Sequence, residues 1–68
     1  MIWARTPSGA YLCQIHGRLY TIRREGCLGN LASWAAFAEG LYIAHCRSLA
    51  QAKRLLATHD RLTEQGAL

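Results

Sequence analysis

Carboxylates are scarce in this chain: Glu25, Glu39, Asp60 and Glu64 are the four present. The sequence puts two at turns and two near the end of a helix, so no pair is placed for general acid–base work. Lysine is scarcer still. Seven of the eight basic residues are Arg, whose planar fork suits phosphate and carboxylate better than an ammonium does. No glycine-rich phosphate loop, internal repeat or low-complexity segment occurs. No run approaches the roughly 20 apolar residues that span a bilayer, and the opening MIWARTPSGAY lacks the apolar stretch of a secretory signal. Three cysteines, Cys13, Cys27 and Cys46, leave one unpaired in any disulfide scheme. These absences predict a cytoplasmic, reduced protein with no membrane association.

Metal and thiol chemistry lack their usual spacing too. Structural zinc sites present paired ligands that converge. Here Cys13 and His16 fall on a strand and its turn, His45 and Cys46 are adjacent and alternate in direction, and Cys27 and His59 stand alone. A nucleophilic Cys–His pair would need an orienting third group in a cleft. We therefore expect no metal, no cofactor and no enzymatic activity.

What remains is a short globular chain. Its 68 residues are 51% hydrophobic and 18% charged, with a net charge of +4. A chain of this size buries only about 60% of the surface it exposes when unfolded. Residues 1–68 are read as one small domain with a short N-terminal arm at 1–9, closed by the turn cluster TPSG. AYLCQI then alternates with period two, and His16–Gly17 suits a two-residue hairpin turn. With that turn, Ile15 opposes Arg18, Cys13 opposes Tyr20 and Tyr11 opposes Ile22. Tyr11, Cys13, Ile15, Tyr20 and Ile22 then share a core face, leaving Leu12, Gln14, Leu19, Thr21 and Arg23 outside.

GCLGN (26–30) predicts a turn. LASWAAFA carries four alanines that would suit a helix, but it is short between glycines and leads through Glu39–Gly40 into the β-like LYIAHC. A second hairpin follows, with Ala36 opposite Ile43 and Phe37 opposite Tyr42. One of its faces carries Trp34, Ala36, Ala38, Leu41, Ile43 and His45; the other carries Ala35, Phe37, Tyr42, Ala44 and Cys46. Neither is polar, so the pattern does not select the face that meets the helix. The helix itself is clear: Ser48 with Gln51 makes a capping box, and Leu49, Ala52, Leu55, Leu56, His59 and Leu62 form one side. Gly66 is the expected stop.

The prediction is an α+β fold, an antiparallel meander of three or four strands (about 10–16, 18–25, 31–38 and 41–46) packed against one C-terminal helix (about 49–64). Two functions fit it. Arg18, Arg23 and Arg24 on one strand, with Gln14 and Thr21, suit double-stranded DNA contacted by the outer sheet face. The aromatic excess of the second hairpin instead suits a protein partner or a homodimer, through Trp34, Phe37 and Tyr42 with Arg47 and Arg54 nearby.

Trp34-Ala35-Ala36, Leu41-Tyr42-Ile43 and Ser48-Leu49-Ala50-Gln51-Ala52 follow, in order, a W-A-A strand, an aromatic–aliphatic strand and a capped alanine-rich helix. In this the chain resembles the plant ethylene-response-factor domain and the arm-type DNA-binding domain of phage tyrosine integrases. Its first half is similar to small phage and prophage proteins of the same shape. The resemblance implies DNA contacts from Arg23 and Tyr42, with Arg18 and Arg24 near phosphates. The Gly-x-Phe that precedes the helix in those families is Ala44-His45-Cys46 here. Small phage-encoded inhibitors of bacterial defence complexes, the anti-CRISPR proteins among them, share the shape and imply the protein-binding alternative.

Overall fold

Both expected tight turns are present, and each joins an L-residue to a glycine with both at positive φ: His16 at 53° and Gly17 at 74°, then Glu39 at 54° and Gly40 at 79°. This is the turn whose twist matches that of the flanking strands, and glycine adopts its second position without the steric cost of a Cβ. The computed structural model describes residues 1–28 and 31–66. Among these residues, five strands, β1 (Ala4–Arg5), β2 (Tyr11–Ile15), β3 (Arg18–Leu28), β4 (Leu31–Ala38) and β5 (Leu41–Cys46), precede one helix, α1 (Leu49–Glu64). They form a single antiparallel sheet in chain order.

The class is α+β as expected, but the sheet has five strands rather than three or four. The extra strand comes from the N-terminal arm. Ala4 pairs with Leu12 and Arg5 with Tyr11. The turn behind it is closed by Thr6 N–H on Ala10 O (2.8 Å), Gly9 N–H on Thr6 O (2.9 Å) and Ala10 N–H on Thr6 Oγ1 (3.1 Å). β3 also continues to Leu28, through the first residues of the expected 26–30 turn, while 29 and 30 lie outside the described residues. Its pairing with β4 slips between Arg24 and Cys27, where Gly26 has φ 83°.

The first hairpin has the expected register, Ile15 opposite Arg18, Cys13 opposite Tyr20 and Tyr11 opposite Ile22. The second agrees only near its turn. Phe37 opposes Tyr42, but a bulge moves Ala36 from Ile43 to Ala44, and Trp34 then faces Cys46 while Ala35 faces His45. The faces expected for His45 and Cys46 are thereby exchanged. An extra residue in one strand reverses the alternation beyond it, and Cys46 joins the core as His45 turns outward.

The helix lies on β4, flanked by β3 and β5. Ala36 and Ala52 are fully buried and Ala38 nearly so. These small side chains leave room for the helix to approach the sheet, which explains why an alanine-rich segment is useful as a strand here. Tyr20, Ile22 and Leu56 supply the bulk of the core. Burying a Leu side chain completely contributes about 1.5–3 kcal/mol. Ser48 Oγ accepts from Gln51 N–H at 3.1 Å, while the Gln51 side chain accepts from Arg47 N–H rather than closing the box on Ser48. The buried helical residues are Ala52, Leu56 and Asp60, one turn apart, and the expected core residue Leu62 is 49% exposed.

Asp60 is buried among partners that the first hairpin provides. Tyr20 donates its hydroxyl to Asp60 Oδ1 at 2.7 Å, Arg18 donates through Nη2 at 2.8 Å and Nε at 3.1 Å, and His16 Nδ1 donates to Oδ2 at 2.9 Å. Arg18 Nη2 also reaches Glu64 Oε1 at 2.7 Å. The Tyr20 hydroxyl, with Arg18 and His16, overcomes burial and lowers the Asp60 carboxyl to about 2. Glu64 and then Asp60 raise the Arg18 guanidinium further above its ordinary range, and desolvation raises the Tyr20 phenol.

Candidate functional site

The helix covers one side of the sheet, and among the described residues no helix or strand lies over the other. Cross-strand pairing arranges that outer side in rows. One row runs Ala4, Leu12, Thr21, Phe37 and Tyr42 across all five strands. Beside it lies Arg23, Ala35 and His45, and on its other side Gln14 and Leu19.

The rows are joined by side-chain contacts. The Arg23 guanidinium stands 4.7 Å over the Phe37 ring, and the Tyr42 ring meets Phe37 edge-on at 6.0 Å. Tyr42 Oη and His45 Nδ1 are hydrogen-bonded at 2.6 Å. Ala35, between Arg23 and His45 in register, is fully buried with no helix above it, so this cluster shields it. A shallow hollow of ≈310 Å³ opens between Thr21, Arg23, Phe37 and Gly40. Arg23 Nη2 also donates to Glu25 Oε1 at 3.3 Å, a long contact that leaves the guanidinium's other donors free to reach a ligand.

The residues expected to bind DNA divide between the two sides. Gln14, Arg23 and Tyr42 are exposed on the outer face. Arg24 opposes Trp34 on the helix side, its guanidinium 6.0 Å from the indole. Arg18 faces the helix and is held by Asp60 and Glu64, so it is not free for phosphate. The protein-binding set divides as well. Phe37 and Tyr42 belong to the outer cluster, whereas Trp34 is half-buried on the helix side, 6.1 Å from Tyr11. Arg47 is exposed between β5 and α1, and Arg54 is exposed on the helix.

Sequence reasoning missed His45, because a bulge between two apolar strands leaves no mark in the pattern. Among the described residues, no group of three or more His, Cys, Asp or Glu side chains is placed to hold a metal ion. Cys13 and Cys46 are free thiols in the core, and burial raises the Cys46 pKa, the opposite of what a nucleophile requires. Among the described residues, no helix is long and apolar enough to cross a membrane. No protein-family model, curated protein or solved structure matches the chain.

Proposed function

We propose that the protein is a non-enzymatic binding protein whose outer sheet face contacts double-stranded DNA. The carrying observation is the cluster on that face: Arg23 over Phe37, with Thr21, Gln14 and Tyr42 around it. A twisted antiparallel sheet presents such side chains to a major groove, where Arg recognises guanine and Gln recognises adenine. Charge placement supports this reading. Two of the four carboxylates, Asp60 and Glu64, engage Arg18 behind the sheet, a group of net charge −1, so the remaining seven basic and two acidic residues carry +5 and favour approach to a polyanion.

Fluorescence anisotropy with a labelled duplex tests it. Affinity should fall with salt, with a slope near −0.9 for each phosphate contact, and Arg23→Ala should reduce the affinity. No duplex binding at low salt rejects the proposal.

A second reading rests on exposed apolar side chains of the outer face: Tyr42 at 55% and Leu19 at 41%. Exposed apolar surface of this kind suits a protein partner, such as a bacterial defence complex inhibited by a phage-encoded protein, or a second copy of the chain. Capture from a bacterial lysate with wild type and Tyr42→Ala tests it. The variant should lose a specific partner, and an identical partner set removes this face from consideration.

A further inference from the structure

A second concave site lies at one end of the sheet. β2 pairs with β3 only as far as Ile22, whereas β3 continues to Leu28, so the overhang leaves a notch beside the 6–10 turn. The notch has a volume of ≈510 Å³ and is lined by Arg5, Ser8, Gly9, Ala10, Tyr11, Arg23, Arg24 and Trp34. That volume falls within the range of small-molecule sites.

Its chemistry is one-sided. Arg5 is opposite Tyr11, and Arg24 is opposite Trp34 with its guanidinium 6.0 Å from the indole, so both arginines stand on the helix side of the sheet. Tyr11 and Trp34 pack together at the floor, and Lys53 Nζ adds a further cation 5.3 Å from the Tyr11 ring. Arg23 also borders the notch, with its guanidinium turned to the outer face over Phe37. No lining residue is acidic, and among the described residues neither Arg5 nor Arg24 forms an ion pair. The hydrogen bonds of the 6–10 turn hold the Arg5 strand in place before any ligand arrives.

We propose that this notch binds a nucleoside phosphate, with the phosphate between Arg5 and Arg24 and the base against Trp34. Guanidinium groups pair with phosphate oxygens through two parallel N–H donors, and an indole offers the flat surface on which a base stacks. The ligand is either a free nucleotide or the phosphorylated end of a strand. The site does not depend on the outer face, and failure of duplex binding there leaves it standing.

Tryptophan fluorescence tests it in a Trp3→Phe background, where Trp34 is the remaining indole. Adenosine 5′-monophosphate, adenosine and a 5′-phosphorylated oligodeoxynucleotide are titrated separately. Saturable quenching by the monophosphate assigns a free nucleotide; saturation by the oligonucleotide alone assigns a strand end. In either case loss of the phosphate, or Arg24→Ala, should weaken binding about tenfold, as expected for a lost charge-assisted hydrogen bond. Arg5→Ala, at an exposed position in a two-residue strand, serves as a second variant that leaves the core packing alone. Phe37→Ala on the outer face should change nothing. The site is rejected by equal affinity for adenosine and its monophosphate, by no saturation with either phosphate probe, or by wild-type affinity in both arginine variants.

Discussion

The Tyr20 hydroxyl donates to Asp60 Oδ1 at 2.7 Å, linking the middle of the sheet to the last turns of the helix across 40 residues of sequence. Both residues are buried, and Arg18 and His16 complete the carboxylate's hydrogen bonding. This network couples the first hairpin to the helix and makes the fold sensitive to acid.

The Asp60 carboxyl titrates at about 2 when folded, against an ordinary value of 3.8. A depressed folded value means that the unfolded chain takes up the proton first as pH falls. The stability contributed is therefore complete above about pH 4 and is lost progressively between about 4 and about 2. Thermal melts through that window should show a steep loss for wild type. Asp60→Asn should be less stable at neutral pH and flatter below it, and parallel profiles would remove Asp60 as the acid-sensitive group.

Tyr20→Phe keeps the ring and removes the donor. It should cost about 1–2 kcal/mol in urea unfolding. A loss within error of zero would mean that Arg18 and His16 alone satisfy the carboxylate.

Leu56 is fully buried and Leu62 is 49% exposed, although both lie on the apolar side predicted from sequence. Leu56→Ala should destabilise by about 2–5 kcal/mol, through lost burial and a residual cavity. Leu62→Ala should stay within about 0.5 kcal/mol of wild type. Equal losses in chemical denaturation would mean that the helix is rotated from the orientation described.

Glu39 holds φ 54° in the second hairpin turn, a conformation that Asn tolerates better than Glu. Glu39→Asn creates the Asn-Gly pair most favoured in such turns. It should raise stability by a few tenths to about 1 kcal/mol, read as an increased urea midpoint. A lower midpoint would show that Glu39 makes a compensating interaction.

Cys13 and Cys46 are 3% and 5% exposed, and burial raises the Cys46 pKa. In a Cys27→Ser background, both thiols should resist alkylation in the folded protein and react on unfolding. Rapid modification of either under native conditions would show that the core opens readily.

Much of the scaffold was legible before the structure. His16–Gly17 set the first register because the flanking strands alternate strongly, and a one-residue slip would have put Gln14 and Arg23 in the core. Ser48 and the leucine spacing marked the helix for equally local reasons. The candidate site was legible only in part. Arg23 and Gln14 stand outside as the pattern requires, Tyr42 stands outside on a hairpin whose faces the pattern left open, and Arg18 belongs to a buried network whose acceptors lie more than 40 residues away.

The sequence by itself determined the two turns, the first hairpin's pairing and the limits of the helix, because each depends on residues close together in the chain. Tertiary structure decided where the second hairpin bulges, which way His45 and Cys46 point and how Asp60 is buried. β4 and β5 are apolar on both sides, so alternation carries no signal that a slip would violate. A buried carboxylate becomes acceptable only when donors from a distant hairpin reach it, and that meeting is made by packing.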